Sequence, residues 1–366
     1  MANVIGGCIL TPRGFVRGAL EFADGRVWRI EGEPVPDEIV RDGANTIVLP
    51  GFIDSHVHGG GGADTMQGGD AIERIARLHV RHGTTSLLAT TMTAPLRELR
   101  AAMSALGPAC RRRIEGGARV LGVHLEGPYI NPAKLGAQPD FVRPASLAET
   151  LELHALAPEL PGNLEIIPAL CAAGFRVQIG HTLGTYEDGV AALERGANGF
   201  THLFNAMSGM HHRAPGIAGA ALAHARYAEI IPDLLHVHPG ALKLALRAIP
   251  GLFCVTDSTA ASGMPDGEYQ LGSHRVTKCL GGVRLPDGTL AGSTLTMDQA
   301  LRNLVTLGLS LREASLRVST HAADYLGLEA RGSIAEGHYA DLVVVDRDLR
   351  VNRVIVEGNE IDLADA

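Results

Sequence analysis

The chain has 366 residues, of which 46% are hydrophobic, 20% charged and 4% aromatic. That apolar fraction supports a sizeable core and excludes an intrinsically disordered chain, and the length suits one large domain or a large domain with a small one. A formal net charge of −8 argues against a nucleic-acid-binding face, which needs a basic surface. No uncharged apolar run of about 18 residues reads as a membrane span. The opening MANVIGGCILTPRG has neither the basic start nor the long apolar stretch of a signal peptide. A soluble, cytoplasmic protein with no nucleic-acid or membrane partner is expected. Five dispersed cysteines without a Cys-x-x-Cys pair read as reduced thiols, not as a disulfide framework or a zinc ribbon.

Residues 1–50 read as short strands: VIGGCIL, GALEFADGRVWRIEG with a hairpin at Asp24-Gly25, and NTIVLP. From 51 to 325 the pattern changes to apolar runs alternating with helical segments. The runs are 51–58, 84–91, 119–127, 150–158, 175–182, 199–206, 229–237 and 252–258. Between them AIERIARLHVRHG, LRELRAAMSALG, NLEIIPALCAAG, TYEDGVAALERG and PGALKLALRAIPG read as helices, several closing on glycine. Residues 326–366, with ADLVVVDRDLRVNRVIVEGNEI, return to strand character. The expected fold is α/β: a (β/α)8 TIM barrel over 51–325, with a small β-sandwich domain built from 1–50 and 326–366. An open doubly wound sheet would place a glycine-rich phosphate turn and a helix after its first strand. Here that strand ends in His-x-His and four glycines.

In such a barrel the C-terminal strand ends converge on one site. The first run ends with His56 and His58, the third with His124 and Glu126, the fifth with His181, the sixth with His202 and the eighth with Asp257. Side chains alternate along a strand, so His56 and His58 share a face, as do His124 and Glu126. A lone His-x-His is commonly surface or core histidine, and His124 reads as a packed neighbour of the site. Ligand-type residues at five corresponding strand ends are a different matter. Imidazoles with a carboxylate suit Zn²⁺, with Mn²⁺, Fe²⁺ and Co²⁺ as alternatives.

The strings PGFIDSHVHGGGGAD, GVHLEGPYINPAKLGAQ, IGHT, THLFNAM, RAPGIAGA, VTDSTAASGMPDGEY and LAGSTLTMDQALRNLV resemble the N-acetylglucosamine-6-phosphate deacetylase family of the amidohydrolase superfamily. The resemblance covers nearly the whole chain. It implies that Glu126, His181 and His202 ligate a divalent metal, most simply zinc, and that Asp257 is the catalytic acid/base. It implies that His56 and His58 take the place of a second-metal pair, giving one or two ions per subunit. It further implies that Asn205, Ala206, Arg213 and His236 contact an amino-sugar phosphate, and that the protein is a homodimer with phosphate contacts crossing the interface. A guanidinium fork beside a glycine-rich loop suits a phosphate monoester.

One position departs from the family. Gln138 stands where many relatives carry a histidine that orients the amide carbonyl, and glutamine donates a hydrogen bond without carrying charge. The reading is therefore hydrolysis of N-acetylglucosamine 6-phosphate to glucosamine 6-phosphate and acetate. Its alternatives are the same chemistry on N-acetylgalactosamine 6-phosphate or another N-acyl amino-sugar phosphate, and a non-catalytic sugar-phosphate sensor. Amidohydrolases that bridge two metals with a carboxylated lysine fit less well, because no lysine follows any of the eight runs.

Overall fold

A computed structural model describes residues 3–42, 46–144 and 156–364. Parallel pairing begins with Phe52–Val57 against Thr84–Thr91, and continues to Arg119–Leu125. A bridge from Tyr129 to Leu156 and another from Leu156 to Ile179 carry it to Gln178–Ile179, which pairs with Gly199–Phe200. The Leu203 amide then donates to the Glu229 carbonyl in Tyr227–Ile230, and that strand pairs with Gly251–Cys254. Val57 bridges Ser258, so backbone contacts pass from segment to segment and return to the first. Phe52–Val57 is buried on both faces, as a parallel strand covered by helices must be. Of the fourth expected run, 150–155 lies outside the described residues; Leu156 supplies its pairing. The fifth and sixth runs yield ladders of two residues only, because the chain leaves extended geometry just before His181 and His202.

All five helices read from periodicity are present, at Ala71–Arg81, Leu96–Arg111, Asn163–Ala172, Tyr186–Glu194 and Pro239–Ala248. In the first, Ala71, Ile72, Ile75, Ala76, His79 and Val80 form the buried stripe that holds it against the strands. Three further helical elements lie outside those five. Gly216–His224 is small and apolar on all sides, so its period is invisible in the sequence. Met297–Thr306 and the helical stretch 311–326 complete the packing. A three-stranded antiparallel sheet of Gly267–Leu271, His274–Cys279 and Gly282–Arg284 is inserted after the eighth strand.

Both ends of the chain contribute to one seven-stranded sheet, not to two separate sheets of a sandwich. Its order is Asn359–Glu360, Val351–Val356, Leu342–Val345, Ile47–Pro50, Asn3–Thr11, Gly14–Ala23 and Arg26–Val35. Asp24 and Gly25 both adopt positive φ in the expected hairpin turn. The strands are apolar on both faces for a reason. Ile5, Ile9, Val48, Leu342 and Val344 pack into the sheet's own core, while Cys8, Leu10, Ile47, Leu49, Val343 and Val345 pack into the core shared with the parallel strands. No helix among the described residues is long and apolar enough to cross a membrane.

One polar tie joins the sheet to the parallel strands. Arg331 forms ion pairs with Asp341 and Glu357 and lies 4.0 Å from the centre of the Tyr339 ring. Glu357 in turn approaches Arg119 of the third parallel strand at 3.8 Å. Removing the guanidinium leaves Asp341 buried without its counter-ion, a change that costs about 3–5 kcal/mol. Arg331→Ala should lower the denaturant midpoint accordingly without altering the slope; an unchanged midpoint would show that the tie contributes nothing.

Candidate active site

Strand geometry first brings the histidines together. The register between the first two parallel strands shifts between Asp54 and Val57, and at that bulge Ser55 and His56 both reach Glu229 on the seventh strand. Asp54 ties the first strand to the eighth by accepting from the Thr256 hydroxyl at 2.6 Å. The Asp257 amide donates to the His56 carbonyl at 2.9 Å, which brings the Asp257 side chain beside both histidines.

His181, His202 and Asp257 share a second property. Their φ values are 47°, 26° and 51°, in the left-handed region that non-glycine residues seldom occupy. Each ends a strand by turning sharply, and each costs backbone strain of the kind concentrated at functional sites. Gly292 serves the same corner. With φ of 61°, a Cβ there would lie 2.9 Å from the Asp257 carbonyl oxygen, so only glycine admits the following loop so close.

Glu126 occupies the centre. Its Oε1 lies 3.0 Å from His181 Nε2 and 2.9 Å from His202 Nε2. Its Oε2 lies 3.0 Å from His58 Nε2 and 3.5 Å from His56 Nε2. Asp257 Oδ1 is 3.3 Å from His58 Nε2 and 3.5 Å from His56 Nε2. Burial disfavours a charged Glu126, yet His56 and His181 beside it hold its carboxyl well below the ordinary range. Burial likewise opposes charge on His58, but its hydrogen bonds to Asp257 and Glu126 outweigh this and push it up to about 9. His124 is pushed down to about 4 by burial and by neighbouring His56. Its ring stands 4.5 Å from that of His56 and lies outside both ligand groups.

The donors fit a divalent cation. His181 and His202 present Nε2 atoms 3.1 Å apart, and His56 and His58 do so at 3.2 Å. Ligands around a tetrahedral ion with 2.0–2.1 Å bonds stand about 3.3 Å from one another. His181 Nδ1 lies 2.8 Å from the Lys134 carbonyl and His56 Nδ1 lies 3.0 Å from Glu229 Oε2. Both ring N–H groups therefore point outward, leaving the Nε2 lone pairs aimed at the centre. Two three-residue groups result, His56–His58–Glu126 and Glu126–His181–His202, sharing one carboxylate.

A cavity of 240 Å³ opens over this centre, lined by His58, Glu126, His181, His202 and Asp257, and by Gln138, Asn205, Ala206 and His236. His56 lies beneath, fully buried. Gln138 donates from Nε2 to Glu126 Oε2 at 2.6 Å and accepts from the Thr93 amide at 2.6 Å. Its amide thus orients the shared carboxylate. His236 is paired with Asp233 at 2.6 Å. Arg213 is not brought to the cavity of its own chain: it is exposed, with its guanidinium 2.7 Å from His212 Nε2.

Residues 47–361 match the amidohydrolase family. The chain belongs to that family. It is 39% identical over 96% of its length to the N-acetylgalactosamine-6-phosphate deacetylase of Escherichia coli O157:H7, covering 96% of that protein. It is 38% identical over 87% of its length to the N-acetylglucosamine-6-phosphate deacetylase of Lysinibacillus sphaericus, covering 86% of it. Among solved structures, an aspartate-to-alanine mutant of the N-acetyl-D-glucosamine-6-phosphate deacetylase of Mycobacterium smegmatis, in complex with N-acetyl-D-glucosamine-6-phosphate, superposes with a TM-score of 0.90. That pair is 33% identical, and the alignment covers 99% of both chains.

The sequence reading assigned no role to Glu229. A lone carboxylate inside the apolar run AEIIP was the available signal. It is fully buried and accepts from Ser55 at 3.2 Å and Gln178 at 3.0 Å as well as bonding His56. Burial opposes its charge, but the charge and hydrogen bond of His56, with His124 and Gln178, outweigh this and hold its carboxyl below the usual range. A carboxylate behind a ligating histidine raises metal affinity roughly 10–100-fold. Glu229→Ala should weaken divalent-cation binding by about that factor in equilibrium dialysis, and undiminished affinity would remove Glu229 from the site.

Proposed function

We propose that this chain hydrolyses the acetamide of N-acetylglucosamine 6-phosphate, releasing glucosamine 6-phosphate and acetate. The scaffold we infer is a (β/α)8 barrel over 51–325, flanked by a β-domain formed from 1–50 and 326–366. The observation that carries the reading is the Asp257 carboxylate, set beside His58 and His56 at the floor of a cavity. A pure sugar-phosphate sensor has no use for a proton shuttle in that position.

Glu126, His181 and His202 would hold one zinc ion, and His56 and His58 with the other oxygen of Glu126 a second. Such an ion, when bound, supplies positive charge that acidifies water and polarises an amide carbonyl. Asp257 accepts the proton of the attacking water and passes it to the nitrogen as the C–N bond breaks, since an amide anion is too poor a leaving group to depart unprotonated. Water thus contributes hydroxide to the acyl carbon and a proton to the amine. Asn205, Ala206 and His236 line the opposite side of the cavity and position the sugar, whose binding energy holds the amide in place.

The phosphate partner we assign to Arg213 of a second copy in a homodimer. An exposed cation beside an exposed Met210 suits an interface better than an isolated surface. Sugar phosphates are charged and do not cross membranes, which agrees with a cytoplasmic enzyme. The 39% identity to an N-acetylgalactosamine-6-phosphate deacetylase favours the epimeric sugar as the second reading.

Acetate release from the two N-acetylhexosamine 6-phosphates distinguishes these readings, and no release from either would leave the sensor. Asp257→Asn keeps shape and removes the proton acceptor. Its kcat should fall about 10²–10⁴-fold with metal content and substrate affinity retained; normal turnover would exclude Asp257 from proton transfer. Arg213→Ala should lower kcat/KM for the phosphorylated sugar about 10- to 100-fold, the value of a charge-assisted contact, and spare the unphosphorylated sugar. Equal losses on the two would make Arg213 structural.

A further inference from the structure

Met92 follows the second parallel strand directly and is 1% exposed. It lines two separate spaces. One is the 240 Å³ cavity over the ligand cluster; the other is an adjoining 220 Å³ cavity bounded by apolar Met66, Ala94, Ala101 and Phe141 and by polar residues including Asp64 and Glu98. Met92 is the residue common to both linings. Its side chain is held from two directions. Gln138 Nε2 lies 3.6 Å from the Met92 sulfur, and the Gly272 backbone approaches so closely that a Cβ there would stand 3.2 Å from Met92 Cγ.

The two sides of the active cavity differ in chemistry. Asn205 and His236, beyond the sixth and seventh strands, offer hydrogen bonds. Across the cluster, Met92 and Leu271 are buried and apolar, and they pack with Val276 and Ala291 in one hydrophobic group. An N-acyl amino sugar is equally divided, with hydroxyls and a phosphate on one side of the amide and an alkyl group on the other. With the sugar on the hydrogen-bonding side, the acyl methyl faces Met92.

We propose that Met92 sets the length of the acyl group this enzyme accepts, acting as a wall one side chain thick between the acyl position and the adjoining cavity. The inference rests on the deacetylase reading above. Met92 takes no part in the bond breaking; it discriminates by volume. One methylene too many in a filled apolar site costs about 10-fold or more in kcat/KM. Wild-type protein should therefore hydrolyse the N-acetyl compound, the N-propionyl compound less well and the N-butyryl compound poorly.

The test compares kcat/KM for N-acetyl-, N-propionyl- and N-butyrylglucosamine 6-phosphate on metal-loaded protein of verified fold. Met92→Ala should raise the butyryl-to-acetyl ratio by about 10-fold or more, whereas the volume-conserving Met92→Leu should leave it near wild type. Ala101→Trp, placed across the adjoining cavity in the Met92→Ala background, should return the ratio toward wild type. If Met92→Ala does not fold, Met92→Val reads the same ratio. An acyl-length profile identical in wild type and the folded truncation overturns the proposal, as does a gain that survives Ala101→Trp undiminished. Absence of N-acetyl turnover by the wild type would overturn the deacetylase reading, and this inference with it.

Discussion

The whole site depends on one carboxylate. Glu126 is 2% exposed, and four imidazoles approach its two oxygens within 3.5 Å. An anion so buried is tolerable only if positive charge or hydrogen-bond donors surround it on every side. Here the imidazoles, the Gln138 amide and any cation they hold provide that surrounding. The requirement brings together the ends of the first, third, fifth and sixth parallel segments. It also accounts for the backbone strain. His181 and His202 meet Glu126 from left-handed backbone, a conformation that persists where the surrounding structure holds it.

Support for the cluster comes from behind as well as from the mouth. Glu229 sits below His56 as Gln138 sits above Glu126, and each is itself anchored, by Ser55 and Gln178 in one case and by the Thr93 amide in the other. Charge alternates along this column: carboxylate, imidazole, carboxylate, with neutral amides at both ends. The arrangement keeps each ionised group next to an opposite partner and each amide turned by the group it serves.

Much of this was legible in the sequence because the relevant residues obey strand periodicity. His56, His58, Glu126, His181, His202 and Asp257 all fall at the ends of apolar runs, and the runs are apolar because both faces are covered. What escaped had no period to reveal it. Glu229 opens the run 229–237 in the sequence, where a carboxylate looks like a boundary, whereas it lies inside the strand Tyr227–Ile230. Gly216–His224 is apolar on every side, so a helix and a buried strand look alike there. Arg213 rests on the resemblance of its RAPG string, and a string of sequence says nothing about which copy of the cavity an exposed loop serves. Gln138 is legible as a hydrogen-bond donor at a family position, but the acceptor it meets is fixed by where the loop after the third strand folds back.

The seven-stranded sheet carries a further consequence, for synthesis. Leu342–Val345 pairs with Ile47–Pro50, so the two strands are separated by all the parallel strands and the helices between them. Until the C-terminal strands emerge from the ribosome, Ile47–Pro50 offers a free apolar edge while the parallel strands between are already being made. An edge of that kind invites pairing with another chain. The nascent protein is therefore at risk of aggregation until Leu342–Val345 has been made, and slowing its synthesis or removing it would prolong that exposure without touching a single residue of the histidine–carboxylate cluster.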